Sequence, residues 1–100
     1  MASIFAALGD QTRLGLVRKL CQGEPLSITQ LATGSSVSRQ AITKHLQTLE
    51  SARIVRSIHR GRQTFFEFSP QTLDAMHNYL QQVTMQWDQA LNRLKDFVED

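Results

Sequence analysis

The chain has 100 residues, with 11 Lys or Arg against 9 Asp or Glu and a formal net charge of +2. That is one domain's worth of sequence, able to bury a modest core but placed to gain stability from a partner subunit. Its single cysteine, Cys21, excludes an internal disulfide and a Cys-x-x-Cys pair for zinc or redox chemistry. The apolar run Ile4 to Leu8 is too short for a signal or membrane-spanning segment, and no other run approaches membrane length, so a cytosolic chain is expected.

From the amino terminus, Ser3 to Leu8 suits a short apolar helix that packs on a neighbouring element or subunit. Asp10 then fits the N-cap of a helix from Gln11 to Cys21, with Leu14, Val17, Leu20 and Cys21 spaced to point inward. Gly23 fits its stop and Pro25 reinforces it. Gly15, inside that helix, costs about 1 kcal/mol relative to alanine, a cost that close packing there would explain.

Ser27 caps the next short helix, Ile28 to Ala32, with Ile28, Leu31 and Ala32 at inward spacing. Thr33-Gly34-Ser35-Ser36 breaks it, with Gly34 suited to a positive φ and Ser36 or Ser38 available to cap a longer helix reaching Ala52. Placed on a wheel at about 100° per residue, that longer helix divides in two. Ala41, Ile42, His45, Leu46, Leu49 and Ala52 share one arc. Arg39, Gln40, Thr43, Lys44 and Gln47 share the other, with Glu50 and Ser51 toward the far end.

Ile54 to His59 and Gln63 to Phe68 are rich in β-branched and aromatic residues, and Arg60-Gly61-Arg62 supplies the turn of a hairpin. Ser69 and Pro70 fit the cap and first turn of a last helix. Along it, Leu73, Met76, Leu80, Val83, Trp87, Ala90, Leu94 and Phe97 form a heptad seam that Tyr79, Met85, Leu91 and Val98 widen. So broad an apolar surface favours a subunit interface over packing within one small domain.

The expected architecture is mainly α with a small β-hairpin. It is a single winged helix-turn-helix domain over 1–100, with the helix-turn-helix at 27–52, the wing at 54–68 and dimerisation helices at 1–8 and 70–99. The longer helix of the motif carries no acid in its first three turns. A merely solvated face usually mixes Glu with Lys, whereas Arg, Gln, Thr and Lys suit base edges and phosphates. Charge is spread to match: residues 1–63 hold nine basic against three acidic side chains, a surplus of six, and residues 64–100 hold two against six, a deficit of four. A basic surface of this kind suits a polyanion.

These features point to a sequence-specific double-stranded DNA-binding regulator. Arg39, Gln40 and Thr43 are expected near base edges, and Ser38, Lys44, Gln47, Arg60 and Arg62 on the backbone. The expected dimer interface comprises Ile4, Phe5, Leu8, Leu73, Met76, Leu80, Val83, Trp87, Leu91 and Leu94. There is no Gly-rich phosphate loop, no nucleophile paired with a base and no carboxylate cluster placed for acid/base work, so an enzyme is not expected. The rival reading is a winged helix used for protein docking without specific DNA binding, which requires neither an acid-free helix face nor a basic wing tip.

Gly9-Asp10-Gln11-Thr12-Arg13-Leu14, the run SRQAITKHL from Ser38 to Leu46 with Leu49 following, and Gly61-Arg62 together resemble the ArsR/SmtB family of bacterial winged-helix repressors over nearly the whole chain. The resemblance implies a homodimer, built by the first and last helices, that sets two recognition helices into successive major grooves of an imperfect palindrome. Members commonly release DNA when an inducer binds.

Where metal-sensing members carry Cys-x-Cys, this chain has Ser27 and Thr29, and hydroxyls do not replace thiolates for soft metals. Asp74 and His77 resemble half of a second family site, but only Asp88 offers a ligand near Met85 to Gln89. No metal site and no cofactor are expected, and no inducer is implied. Cys21 is expected to be an inert buried thiol. His45 is expected to pack in the core with a ring nitrogen satisfied by backbone, and His59 to lie exposed beside the wing with a phosphate contact open to it when protonated.

Overall fold

A computed structural model describes residues 1–99. In chain order the elements are α1 (Ala2–Leu8), α2 (Gln11–Leu20), β1 (Leu26–Ser27), α3 (Ile28–Ala32), α4 (Arg39–Ser51), β2 (Val55–Arg60), β3 (Gln63–Phe68) and α5 (Pro70–Glu99). This is the winged helix-turn-helix expected from the sequence, with one strand more than a hairpin. Leu26 and Ser27 pair antiparallel with Phe66 and Phe65, giving the sheet order β1-β3-β2. Two residues carry no period of their own, so only pairing with a distant strand reveals β1.

Local chemistry explains where the helices begin and end. Asp10 accepts a hydrogen bond from the Arg13 backbone N–H at 3.0 Å and starts α2. Ser27 accepts from the Gln30 N–H while the Gln30 side chain accepts from the Ser27 N–H, a reciprocal capping box that starts α3. Gly34, at φ +77°, turns the chain out of α3. Of the two serines able to cap α4, Ser38 does so, accepting from the Ala41 N–H at 3.2 Å.

The far end of α4 closes without glycine. The Arg53 N–H donates to Glu50 O and the Ile54 N–H to Leu49 O, the paired bonds of a Schellman turn, while Arg53 itself takes φ +63°. Buried Ile54 and Leu49 supply the apolar contact that accompanies this turn. The Arg53 carbonyl also accepts the hydroxyl of buried Thr72, which pins the start of α5 to the end of α4. Ser69 contributes its carbonyl to the Leu73 N–H, but its hydroxyl bonds Gln71 rather than capping α5.

The core joins Ala7 of α1, Leu16 and Leu20 of α2, Leu31 of α3, Ile42, Leu46 and Leu49 of α4, and Ile54, Val55 and Phe66 of the wing base. Burying such side chains at about 25 cal/mol per Å² is the main favourable term for so small a domain.

Two expectations fail here: Leu14 is 44% exposed and Cys21, at the C-cap of α2, is exposed, while Leu16 is buried in their stead. The inward stripe is Arg13-Leu16-Val17-Leu20, a regular i, i+3, i+4, i+7 row whose first member is charged and so escapes an apolar count. Gly15 does not mark close packing either: no atom lies within 4 Å of where its Cβ would stand.

The 30 residues of α5 span about 45 Å at 1.5 Å per residue, which accounts for most of the 67 Å long axis. No helix among the described residues is long and apolar enough to cross a membrane.

Candidate nucleic-acid interface

The outer face of α4 presents Arg39, Gln40, Lys44 and Gln47 as exposed side chains. Thr43 is half-buried, and its hydroxyl donates to the Arg39 carbonyl at 3.0 Å. That bond leaves the methyl group and an oxygen lone pair as what Thr43 can offer a partner. Ser38 is exposed, with its oxygen engaged in the helix cap. No acid shares the first turns of this face, since Glu50 turns aside to accept the Ser57 N–H of β2 at 3.0 Å. Glu50 thereby ties the far end of α4 to the wing and covers a donor on the sheet's edge strand.

The wing is a two-residue hairpin. Arg60 pairs with Gln63 as the last strand residues, so the turn itself is Gly61-Arg62, with Gly61 at φ +62°. The Arg60 guanidinium lies 5.8 Å from the centre of the Phe65 ring, and Arg62 stands exposed at the tip. Lower on the wing, Arg56 pairs with Glu67 across the strands. His59 is exposed and its Nδ1 lies 3.2 Å from the Thr64 hydroxyl.

Arg39 and Arg62, distant in sequence, line one cleft of about 240 Å³ together with Ser27, Thr29 and Thr64. The first turn of α4 and the wing tip therefore face the same way. Sequence patterning does not bring these two arginines together, nor does it find Thr29 and Thr64.

Bracing residues stand behind α4. The Lys19 ammonium donates to the carbonyls of Leu31 and Thr33 at 3.0 and 3.1 Å, which satisfies the end of α3 and holds the turn of the motif. Arg13 donates through Nε to the Ala7 carbonyl at the end of α1, and its NH1 lies 3.2 Å from His45 Nδ1 on α4. His45 is thus half-buried and met by a guanidinium, not by backbone as its place in the apolar arc suggested. With Arg13 donating to Nδ1, neutral His45 carries its proton on Nε2.

Asp10 sits 4.0 Å from the same imidazole nitrogen. The Arg13 backbone N–H above all, with the charge of Arg13 beside it, holds its carboxyl below the usual carboxylate value. The Asp10-x-x-Arg13 spacing is therefore a structural clip among α1, α2 and α4.

A second surface lies along α5. Leu73, Leu80, Val83, Trp87, Leu91 and Leu94 are exposed, with Trp87 at 66%, and Phe97 and Val98 reach 80% and 74%. Ile4, Leu8 and Met76 are half-buried against their own domain, and Phe5 meets Tyr79 with ring centres 5.8 Å apart. The first and last helices thus meet through Phe5 and Tyr79. Asp74 and His77 lie exposed on α5, and among the described residues no three His, Cys, Asp or Glu side chains gather as metal ligands would.

Residues 8–58, from the end of α1 through β2's first strand residues, match the family described as a helix-turn-helix domain. An HTH-type transcriptional regulator, Rv2034, of Mycobacterium tuberculosis is 32% identical over 95 residues, covering 95% of this chain and 85% of that protein. A transcriptional repressor SmtB homolog of Synechocystis is 35% identical over 69 residues, which cover 69% of this chain and 52% of that one. Among solved structures, an ArsR-like transcriptional regulator from Rhodococcus sp. RHA1 superposes with a TM-score of 0.84 at 36% identity, covering 98% of this chain and 89% of that chain. On the family match, these relatives and this superposition, the chain belongs to the ArsR/SmtB-like family of helix-turn-helix transcriptional regulators.

Proposed function

We propose that the protein is a homodimeric repressor that binds an imperfectly palindromic site on double-stranded DNA and acts in the cytoplasm. The single observation that carries this reading is that Arg39, at the start of the acid-free face of α4, and Arg62 at the wing tip line one cleft, so both can meet the same duplex. In the proposed complex α4 enters the major groove. Arg39, Gln40 and Thr43 approach base edges, Lys44 and Gln47 follow the groove wall, Ser38 starts the helix beside the backbone, and Arg60 and Arg62 lie along the sugar-phosphate chain.

The broad apolar face of α1 and α5 supports dimerisation, because a monomer would leave Trp87, Leu94 and Phe97 in water. Two-fold symmetry then places two copies of α4 one helical turn apart, about 34 Å, on successive grooves. Repression comes to this chain from the SmtB-homolog relative and its family, and catalysis has no part in this reading.

Protein docking is the competing use of such a fold, and salt distinguishes the two. A dimer that neutralises six to ten phosphates is expected to lose about 10³- to 10⁵-fold in affinity between 50 and 200 mM salt. Affinity indifferent to salt and to sequence would refute DNA recognition. Selection of bound duplexes from a random pool, run with and without divalent metals, would return the palindrome and any metal response together.

A further inference from the structure

We infer that the cleft between α4 and the wing tip seats one backbone phosphate of the DNA, clasped from opposite sides by Arg39 and Arg62. The inference rests on the DNA-binding reading and changes the role of one residue in it: Arg39 becomes a phosphate ligand, and base reading passes to Gln40 and Thr43.

Two guanidiniums from different elements line the same cleft, and no carboxylate lines it. The nearby acids are engaged elsewhere, Glu67 with Arg56, Glu50 with the Ser57 N–H and Asp10 at the start of α2. Among the described residues neither Arg39 nor Arg62 forms an ion pair. Guanidinium stays charged at every physiological pH, so the two repel until an anion comes between them.

The rest of the lining suits an oxyanion. The hydroxyls of Thr33, Thr43, Thr48 and Thr84 all donate to a carbonyl one turn back. Thr29, in the first turn of its short helix, has no helical carbonyl one turn behind it, so its hydroxyl is free to donate into the cleft. Thr64 lines the cleft from the wing, its hydroxyl 3.2 Å from His59 Nδ1.

The cleft, about 240 Å³, has room for a phosphodiester group. A duplex with α4 in its major groove runs its flanking strand between the helix start and the wing. A backbone phosphate is thus the anion that arrives there whenever α4 docks. Each forked guanidinium can meet it with two charge-assisted hydrogen bonds.

The experiment uses the full chain and a duplex obtained by selection, in which backbone phosphates are replaced one at a time by neutral methylphosphonates. Wild type, Arg39→Gln, Arg62→Gln and the double variant are compared. One phosphate per half-site is expected whose neutralisation weakens wild type most, each single variant less, and leaves the double variant unaffected.

The salt dependence supplies an independent readout. One lost phosphate per half-site lowers the log-log slope by about 1.8 per dimer, and the double variant is expected to lower it by no more than this. A double variant that lowers the slope by twice as much, or two variants that become insensitive at different phosphates, would overturn the clasp. So would an Arg39→Gln variant that relaxes preference at one base position.

Arg62→Lys, which keeps the charge and loses the fork, is expected to retain the wild-type slope and bind more weakly, showing that the variants fold. Inorganic phosphate titrated at constant ionic strength without DNA is expected to leave the Thr29 and Thr64 amide signals unmoved at millimolar concentration. Saturable shifts there would overturn the assignment to DNA in favour of a free-phosphate site. A wild type that binds no duplex overturns the DNA reading, and the clasp with it, whereas a clasp that fails by itself leaves selective, salt-sensitive binding intact.

Discussion

Replacing Gly15 by alanine tests how the buried face of α2 has been assigned. Gly15 lies mid-helix on an exposed face, beside a cleft of about 360 Å³ between α2 and the turn of the motif, with no atom within 4 Å of a Cβ placed on it. The substitution therefore meets no steric cost. It removes the helix penalty of glycine, about 1 kcal/mol, of which a large part comes from the freedom glycine has in the unfolded chain. Unfolding entropy of about 2.1 cal/mol/K per residue sums to about 0.2 kcal/mol/K over 100 residues, so 1 kcal/mol raises Tm by about 5 °C. Calorimetry at fixed protein concentration, to hold any subunit equilibrium constant, measures the shift. DNA affinity is expected to stay within twofold. A lower Tm, or a Tm gain accompanied by weaker dimerisation or DNA binding, would mean that a partner's surface approaches Gly15 closely and that this face is not open.

Trp87→Asp places a charge in the middle of the exposed apolar face of α5 and is expected to give 11.3 kDa monomers in sedimentation equilibrium while the fold persists, with loss of tight operator binding. A monomeric parent protein would refute the interface. Lys19→Met keeps the aliphatic stem but removes both hydrogen bonds to the end of α3. It is expected to cost about 1–2 kcal/mol in urea unfolding, and an unchanged midpoint would deny the brace. The carboxyl of Asp10 is held below its ordinary value of 3.8, so ionised Asp10 favours the folded state. Its contribution is complete above that value and fades as pH falls through the lower folded one. Asp10→Asn is expected to flatten the acid limb of the stability profile below about pH 4, and an unaltered limb would remove Asp10 from the account.

Much of this molecule was readable because it is set by neighbours in the chain. Asp10, Ser27 and Ser38 cap helices through bonds three residues long, Gly34 and Gly61 mark the turns, and the heptad of α5 exposes its seam without reference to any other element. The polar face of α4 was readable for the same reason, since 3.6-residue periodicity alone separates Gln40 and Thr43 from Ile42 and Leu46.

Tertiary contacts decided the rest. Strand β1 exists only because Leu26 and Ser27 meet Phe66 and Phe65, some 40 positions away. The buried row of α2 begins with Arg13, which apolar counting passes over because its guanidinium is satisfied by Ala7 and His45, partners in two other helices. Cys21 and Leu14 stand in solvent for the same cause, the roll of α2 being set by what packs on it. The pairing of Arg39 with Arg62 across one cleft depends on how the wing folds back against α4, a geometry carried by non-local bonds such as Glu50 to Ser57. Local hydrogen bonding and periodicity are written into short stretches of sequence, whereas the meeting of side chains from separate elements is a property of the packed chain.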